Sequence, residues 1–346
     1  MDSIELCAEL QAVKARLDNL QTSAGSVPPR KRSRRLTVVG PSLVAALTAG
    51  MLPFAATATE GGATNKALGV DTVLTGVMPP PGMRLTSYLG YYTADQTLDG
   101  SGNPRPGVSN FNIDAGAFTT RFQYVWSNAK LWGAEIETRV GLTWFADVNL
   151  HLDVQTPGGK IHRSGSENDF LPGGLIAPAL LGWHGETVHQ ITGLEIFFPG
   201  RDYQPTQVAN VSSGYWSVAP AYWITWFPTQ ATEVSGSLVY LYNFKNDTTN
   251  YLSGQEVNLD YGLGYAVTPA WQVGLNGYLY KQVTDDELNG VPLPGGNKGQ
   301  AVAVGPFIRY SPSKDFGIAL KWQHEYLVEN RASGNRFFLQ ISGQLW

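Results

Sequence analysis

The chain has 346 residues, with 28 acidic against 24 basic side chains and a net charge of −4. Only 15% of residues are charged, while glycines number 39 and aromatics reach 12%, which excludes coiled coils and helical repeats, built from Ala, Glu, Lys, Leu and Arg. The charge balance points away from a nucleic-acid partner, and a mean hydropathy of −0.14 excludes a bundle of transmembrane helices. Low charge with many glycines and aromatics fits one class: an all-β, transmembrane, antiparallel outer-membrane β-barrel, apolar outside and polar inside.

Taken from the start, residues 2–21 read as a short amphipathic helix, with Ile4, Leu10, Val13, Leu17 and Leu20 near helical spacing. Residues 1–29 form an N-terminal extension, either a genuine one or a start site placed too far upstream. The basic cluster of Arg30, Lys31, Arg32, Arg34 and Arg35 then precedes an apolar run that closes on Ala56-Thr57-Ala58. These are the three parts of a secretory signal peptide over 30–58, with cleavage expected after Ala58. A nucleic-acid patch and a retained membrane helix are the competing readings; Gly40-Pro41 interrupts the run and counts against the helix. Cleavage leaves 288 residues with 17 basic and 24 acidic side chains and removes Cys7, the one cysteine. No disulfide is then available, and stability must come from a closed hydrogen-bond network. Residues 59–82 are expected as a periplasmic segment ahead of a barrel over 83–346.

From residue 83 the pattern alternates with period two. Val257, Leu259, Tyr261, Leu263 and Tyr265 alternate with Glu256, Asn258, Asp260, Gly262 and Gly264, and 233–244, 271–282 and 316–323 behave alike. Soluble sandwiches alternate too. Three features separate the two: segments of about 11–15 residues, Trp and Tyr gathered at segment ends (Trp126, Trp132, Trp144, Trp183, Trp226, Trp271, Tyr310), and alternating short and long connections. The pattern predicts twelve strands: 83–94, 111–126, 131–145, 173–183, 187–198, 213–227, 232–245, 253–267, 270–284, 299–311, 315–328 and 334–346. Short turns fall at 127–130, 184–186, 227–230, 268–270 and 311–314. Both termini then lie on the periplasmic side. Residues 146–172 read either as an external hairpin extending the third strand or as a loop folded into the lumen. Pro178 and Pro220 fall inside strands and mark bulges, bends or misplaced boundaries; a gap in the wall beside either would give a lateral exit to lipid. Trp346 sits on the polar register of the last strand, so a bulge at Gly343 or an inward Trp346 is expected.

The stretch 250–287, with Ser253-Gly254-Gln255-Glu256, Asp260-Tyr261, Gly274, Gly277-Tyr278, Gln282 and Asp285-Asp286, resembles the outer-membrane family named after the meta pathway of phenol degradation. Some of its members are described as sphingosine-responsive outer-membrane proteins. Gly305-Pro306 within 302–312, and the stretches 79–94 and 169–184, are similar as well. The resemblance implies an outer-membrane barrel and transport of hydrophobic or aromatic compounds.

With the bulky partners facing lipid, Arg121, Glu135, Glu137, Arg139, Glu256, Asp260, Asn276, Arg309, Lys321 and Glu325 are expected in the lumen. Tyr278, Tyr280, Phe307 and Phe338 share that register. They either line a path for a hydrophobic solute or fill a narrow barrel. Glu256 and Asp260 share a strand face, but about 13 Å along one strand is too far for a hydrolytic carboxylate pair. Ser164-Gly165-Ser166 lacks the setting of a nucleophile elbow. The five histidines form no compact ligand pattern, His184 and His189 being separated by a turn. No enzyme, cofactor or metal is expected. Expected partners are outer-membrane lipid, a small hydrophobic or aromatic solute, and the barrel-assembly machinery. Two functions compete: a channel or transporter, and a structural or surface-binding barrel.

Overall fold

The inside-out pattern of the strands is borne out in a computed structural model, which describes Glu60 and residues 64–346. On the strand that runs Glu256–Ala266, Asp260 is fully buried while Leu263 and Tyr265 are 50% and 57% exposed. Apolar side chains are turned outward toward lipid and polar ones inward, the reverse of a water-soluble core. The expected signal peptide and N-terminal extension lie outside the described residues.

The described strands are β1 (Gly82–Thr97), β2 (Val108–Leu131), β3 (Ala134–Thr156), β4 (Gly159–His184), β5 (Val188–Pro199), β6 (Ser217–Trp226), β7 (Thr232–Asn243), β8 (Tyr251–Leu252), β9 (Glu256–Ala266), β10 (Trp271–Gln282), β11 (Glu287–Leu288), β12 (Val291–Pro292), β13 (Gln300–Ser313), β14 (Phe316–Glu329) and β15 (Ala332–Gln344). Twelve of them close an antiparallel barrel in which chain neighbours pair and β1 meets β15. Closure leaves no unpaired edge, which a bilayer demands. The dyads β8, β11 and β12 form a separate three-stranded sheet within the loops at the end opposite the short turns. The short-turn end is the periplasmic end of an outer-membrane barrel.

All twelve predicted strands are present; two local features differ from expectation, and one open alternative is decided. The β2–β3 turn is at Trp132-Gly133, not at 127–130. Both residues have positive φ, 52° and 78°, as a two-residue hairpin turn of matching twist requires; residues 126–129 bulge within the end of β2. Residues 146–172 are the external hairpin, β3 and β4 pairing from Phe145↔Phe170 to Thr156↔Gly159. The last strand carries no bulge at Gly343, which pairs in register with Leu85 and Phe316. Instead it ends at Gln344; Trp346 lies beyond it, 70% exposed, its carbonyl accepting from the Met83 amide at 3.2 Å.

Pro178 marks a bulge as expected: register shifts on both flanks of β4, between Ile176 and Leu180 against β5 and between Glu137 and Arg139 against β3. Pro220 pairs with Leu194 on one side, and the β6–β7 ladder resumes without shift at Ala221↔Val239. Both prolines are exposed on the outer face.

Candidate functional site

Residues 64–81, ahead of β1, run inside the barrel and not in the periplasm. The segment's charged groups and backbone pair with lumen charges, and its apolar residues pack on lumen aromatics, partners that lie within the barrel. Glu60 sits among the outer loops: Tyr203 Oη and Asn246 Nδ2 each donate to its carboxylate at 2.8 Å, and its amide donates to Ser253 Oγ at 3.1 Å. Asn65 bonds Ser217 Oγ at the outer end of β6, at 2.7 Å. Further along, Leu74 N donates to Glu233 Oε1 at 2.7 Å and Gly76 N to Thr225 Oγ1 at 3.0 Å, near the short-turn end. The segment therefore threads the lumen from the outer loops to the periplasmic rim.

Its grip centres on Asp260 of β9. That carboxylate accepts from Lys66 Nζ at 2.9 Å, from the amides of Gly69 and Asp71 at 2.8 and 3.0 Å, and from Asn258 Nδ2 at 3.0 Å. From β14, three strands further round the wall, Lys321 Nζ donates to the Val70 carbonyl at 2.8 Å and Gln323 Nε2 to the Gly69 carbonyl at 2.9 Å. Arg121 of β2 donates to Asp71 Oδ1 at 2.8 Å. Amides are held by β9 and carbonyls by β14, so both kinds of backbone group at the bend at residue 69 are tied to the wall. Only glycine serves there: φ is +74°, and a Cβ would stand 2.0 Å from Gln323 Oε1. Gly262 lets the segment approach β9, because a Cβ there would meet the Thr72 carbonyl at 1.9 Å. Buried charges without such pairing would cost several kcal/mol each.

Apolar plug residues fill what remains. Leu68 packs with Tyr278, Tyr280 and Val328, Val70 with Tyr88 and Phe338, and Met78 with Leu180, Ile191 and Trp223. A cavity of about 270 Å³ is left between the plug and the wall of β1–β5, lined by Lys66, Val70, Tyr88, Leu175, Phe197 and Phe338 among others.

The residues expected in the lumen fall into separate groups. Arg121, Asp260 and Lys321 hold the plug. Glu137, Arg139 and Glu195 form a second cluster, Arg139 bonding the two carboxylates at 2.8 and 3.2 Å with its guanidinium over Trp223. Glu325 is a third centre, accepting from Tyr278 Oη, from Tyr92 Oη at 2.9 Å and from the Gly334 amide at 2.8 Å, with Arg336 at 3.4 Å. Arg309 lies 3.7 Å from Glu233. Glu256 accepts from Asn243 at 2.7 Å, Asn276 bonds Gln323 and the Gly305 carbonyl, Tyr280 lies beneath the Arg331 guanidinium, and Phe307 is buried. Glu135 is at the periplasmic rim, its side chain 36% exposed and 4.0 Å from His184. Sequence reasoning missed Lys66, Asp71 and Glu195. The signal for the first two was an apolar stretch, Ala67 to Leu74, with one charge inside it, Asp71, and another, Lys66, directly before it.

At the outer end the Asp286 carboxylate binds Tyr251 Oη at 2.6 Å, the Gly254 amide and Gln282 at 2.8 Å, and Asn297 at 2.7 Å. Burial nonetheless pushes the carboxyl up, and burial beside it pushes the Tyr251 phenol up.

The family model described as "Putative MetA-pathway of phenol degradation" matches residues 94–341. No curated protein matches the sequence. Among solved structures, an outer membrane channel of Pseudomonas putida F1 has TM-score 0.59 at 11% identity, covering 77% of this chain and 96% of that one. The NanC porin (TM-score 0.41, 10% identity, 75% and 100% covered) and a Pseudomonas aeruginosa FadL homologue (0.37, 8%, 80% and 94%) superpose more loosely. At these identities the likeness is one of fold. The fold is that of an outer-membrane β-barrel, and the chain belongs to the family of the phenol-degradation MetA pathway model.

Proposed function

We propose that this barrel is a plugged channel for uptake of small hydrophobic or aromatic molecules. The occupied lumen carries this reading: residues 64–78 take the space that a general porin leaves to water, and their contacts absorb the lumen charges Arg121, Asp260 and Lys321. The remaining cavity, about 270 Å³, is at the small end of ligand pockets, which begin near roughly 300 Å³. Its apolar side is made by Leu175, Phe197 and Phe338, suited to a single aromatic ring. Passage of such a solute requires the plug to shift, because Tyr278 and Tyr280 pack on Leu68 and close the other half of the lumen.

Uptake of a radiolabelled monocyclic aromatic into cells with and without the protein tests this. Saturable, protein-dependent uptake with little current in a planar bilayer is expected. Steady current with no solute preference would mean an open porin. Absence of both would favour the structural or surface-binding alternative, for which the loop sheet of β8, β11 and β12 is the supporting feature.

A further inference from the structure

The turn between β4 and β5 returns the chain so that His184 and His189 are direct cross-strand partners. Their Nδ1 atoms are 3.1 Å apart, and the rings are tilted by 40° with centroids 5.2 Å apart. Two imidazole nitrogens at that separation subtend an angle of about 100° at an ion held at the usual ~2.0–2.1 Å, close to tetrahedral. On the far side of His184, Nε2 lies 4.0 Å from Glu135 Oε2. That separation is longer than a hydrogen bond, so the carboxylate acts as a nearby negative charge, which favours a cation at the imidazole pair. Phe227 meets the His189 ring edge-on at 5.6 Å and fixes its plane. Among the described residues no third His, Cys, Asp or Glu completes the group, so water fills the remaining positions.

We propose that His184 and His189 chelate a borderline divalent cation such as Zn²⁺ at the periplasmic rim. The site adjoins the plug's exit: His189 pairs with Thr225, whose hydroxyl accepts the Gly76 amide at 3.0 Å. A cation there would brace the hairpin against which the plug leaves the barrel.

The experiment is calorimetric titration of Zn²⁺ into the refolded full chain, without a polyhistidine tag and stripped with chelator. One saturable site is expected, its affinity falling at least tenfold in His184→Gln and in His189→Gln. His162→Gln, in the outer hairpin beside Asp153, should bind like the parent. Heat-modifiable mobility on gels verifies that each variant folds. Independently of any variant, Zn²⁺ should protect His184 and His189 of the parent from diethyl pyrocarbonate, read by peptide mass spectrometry. Affinity unchanged by both substitutions, or no protection of either ring, overturns the proposal.

Discussion

The two halves of the barrel wall treat the same lumen differently. Strands β6 to β14 are short, between 10 and 14 residues apart from the loop dyads, with register shifts confined to the two ends of the β13–β14 ladder, and supply nearly all the polar grip on the plug through Thr225, Glu233, Asp260, Lys321 and Gln323. Strands β2, β3 and β4 have 24, 23 and 26 residues, and every ladder from β2 to β5 contains a register shift. On that side only Arg121 reaches the plug by a side-chain bond, and there the cavity opens. A regular wall brings inward polar side chains to matched heights, where one extended segment can satisfy them in sequence. Bulges disturb those heights, and the segment leaves that wall uncovered.

The largest expected effect breaks the gripped half outright. Deleting residues 64–77 should raise single-channel current by about an order of magnitude, since nothing else among the described residues crosses the lumen of a barrel this size. Next is Asp260→Asn. It removes the charge opposite Lys66 and weakens three plug bonds, and losing one partner of a buried pair costs about 3–5 kcal/mol. Plug amides should then exchange faster while barrel amides stay protected. Glu325→Gln strikes a cluster that binds only wall residues. It should lower thermal stability by about 1–3 kcal/mol, the cost of an impaired buried network, with current unchanged. Smallest is Lys281→Ala at the outer rim, whose exposed pair with Glu329 at 3.5 Å is worth less than about 1 kcal/mol; melting should barely move.

The same contrast separates what the sequence reveals from what it conceals. Wall strands are legible because a lipid-facing Leu259 must alternate with a lumen-facing Asp260, and twelve such runs fix the barrel. The plug has no such signature. Its residues Asn65 to Met78 meet the wall one by one, through backbone amides and carbonyls as much as side chains, and backbone bonding leaves no periodicity. Asp260 was legible as a lumen residue, yet its partners Lys66, Gly69 and Asp71 are about 190 positions away. Position in the register states which way a side chain points and nothing about what it meets. The turn at Trp132-Gly133 was missed for a local reason: Ser127-Asn128-Ala129-Lys130 has turn composition, but the positive φ values fall two residues later. His184 and His189 looked separate because a turn divides them, although a hairpin is what makes such residues neighbours.

Hydrogen exchange of the refolded full chain in lipid, resolved at the plug, tests the central claim most directly. The amides of Gly69, Asp71, Leu74 and Gly76 each donate to a side chain of the wall. They should exchange as slowly as amides of β9. Exchange of these four at the rate of an open peptide, with β9 still protected, would mean that the lumen is not filled by this segment.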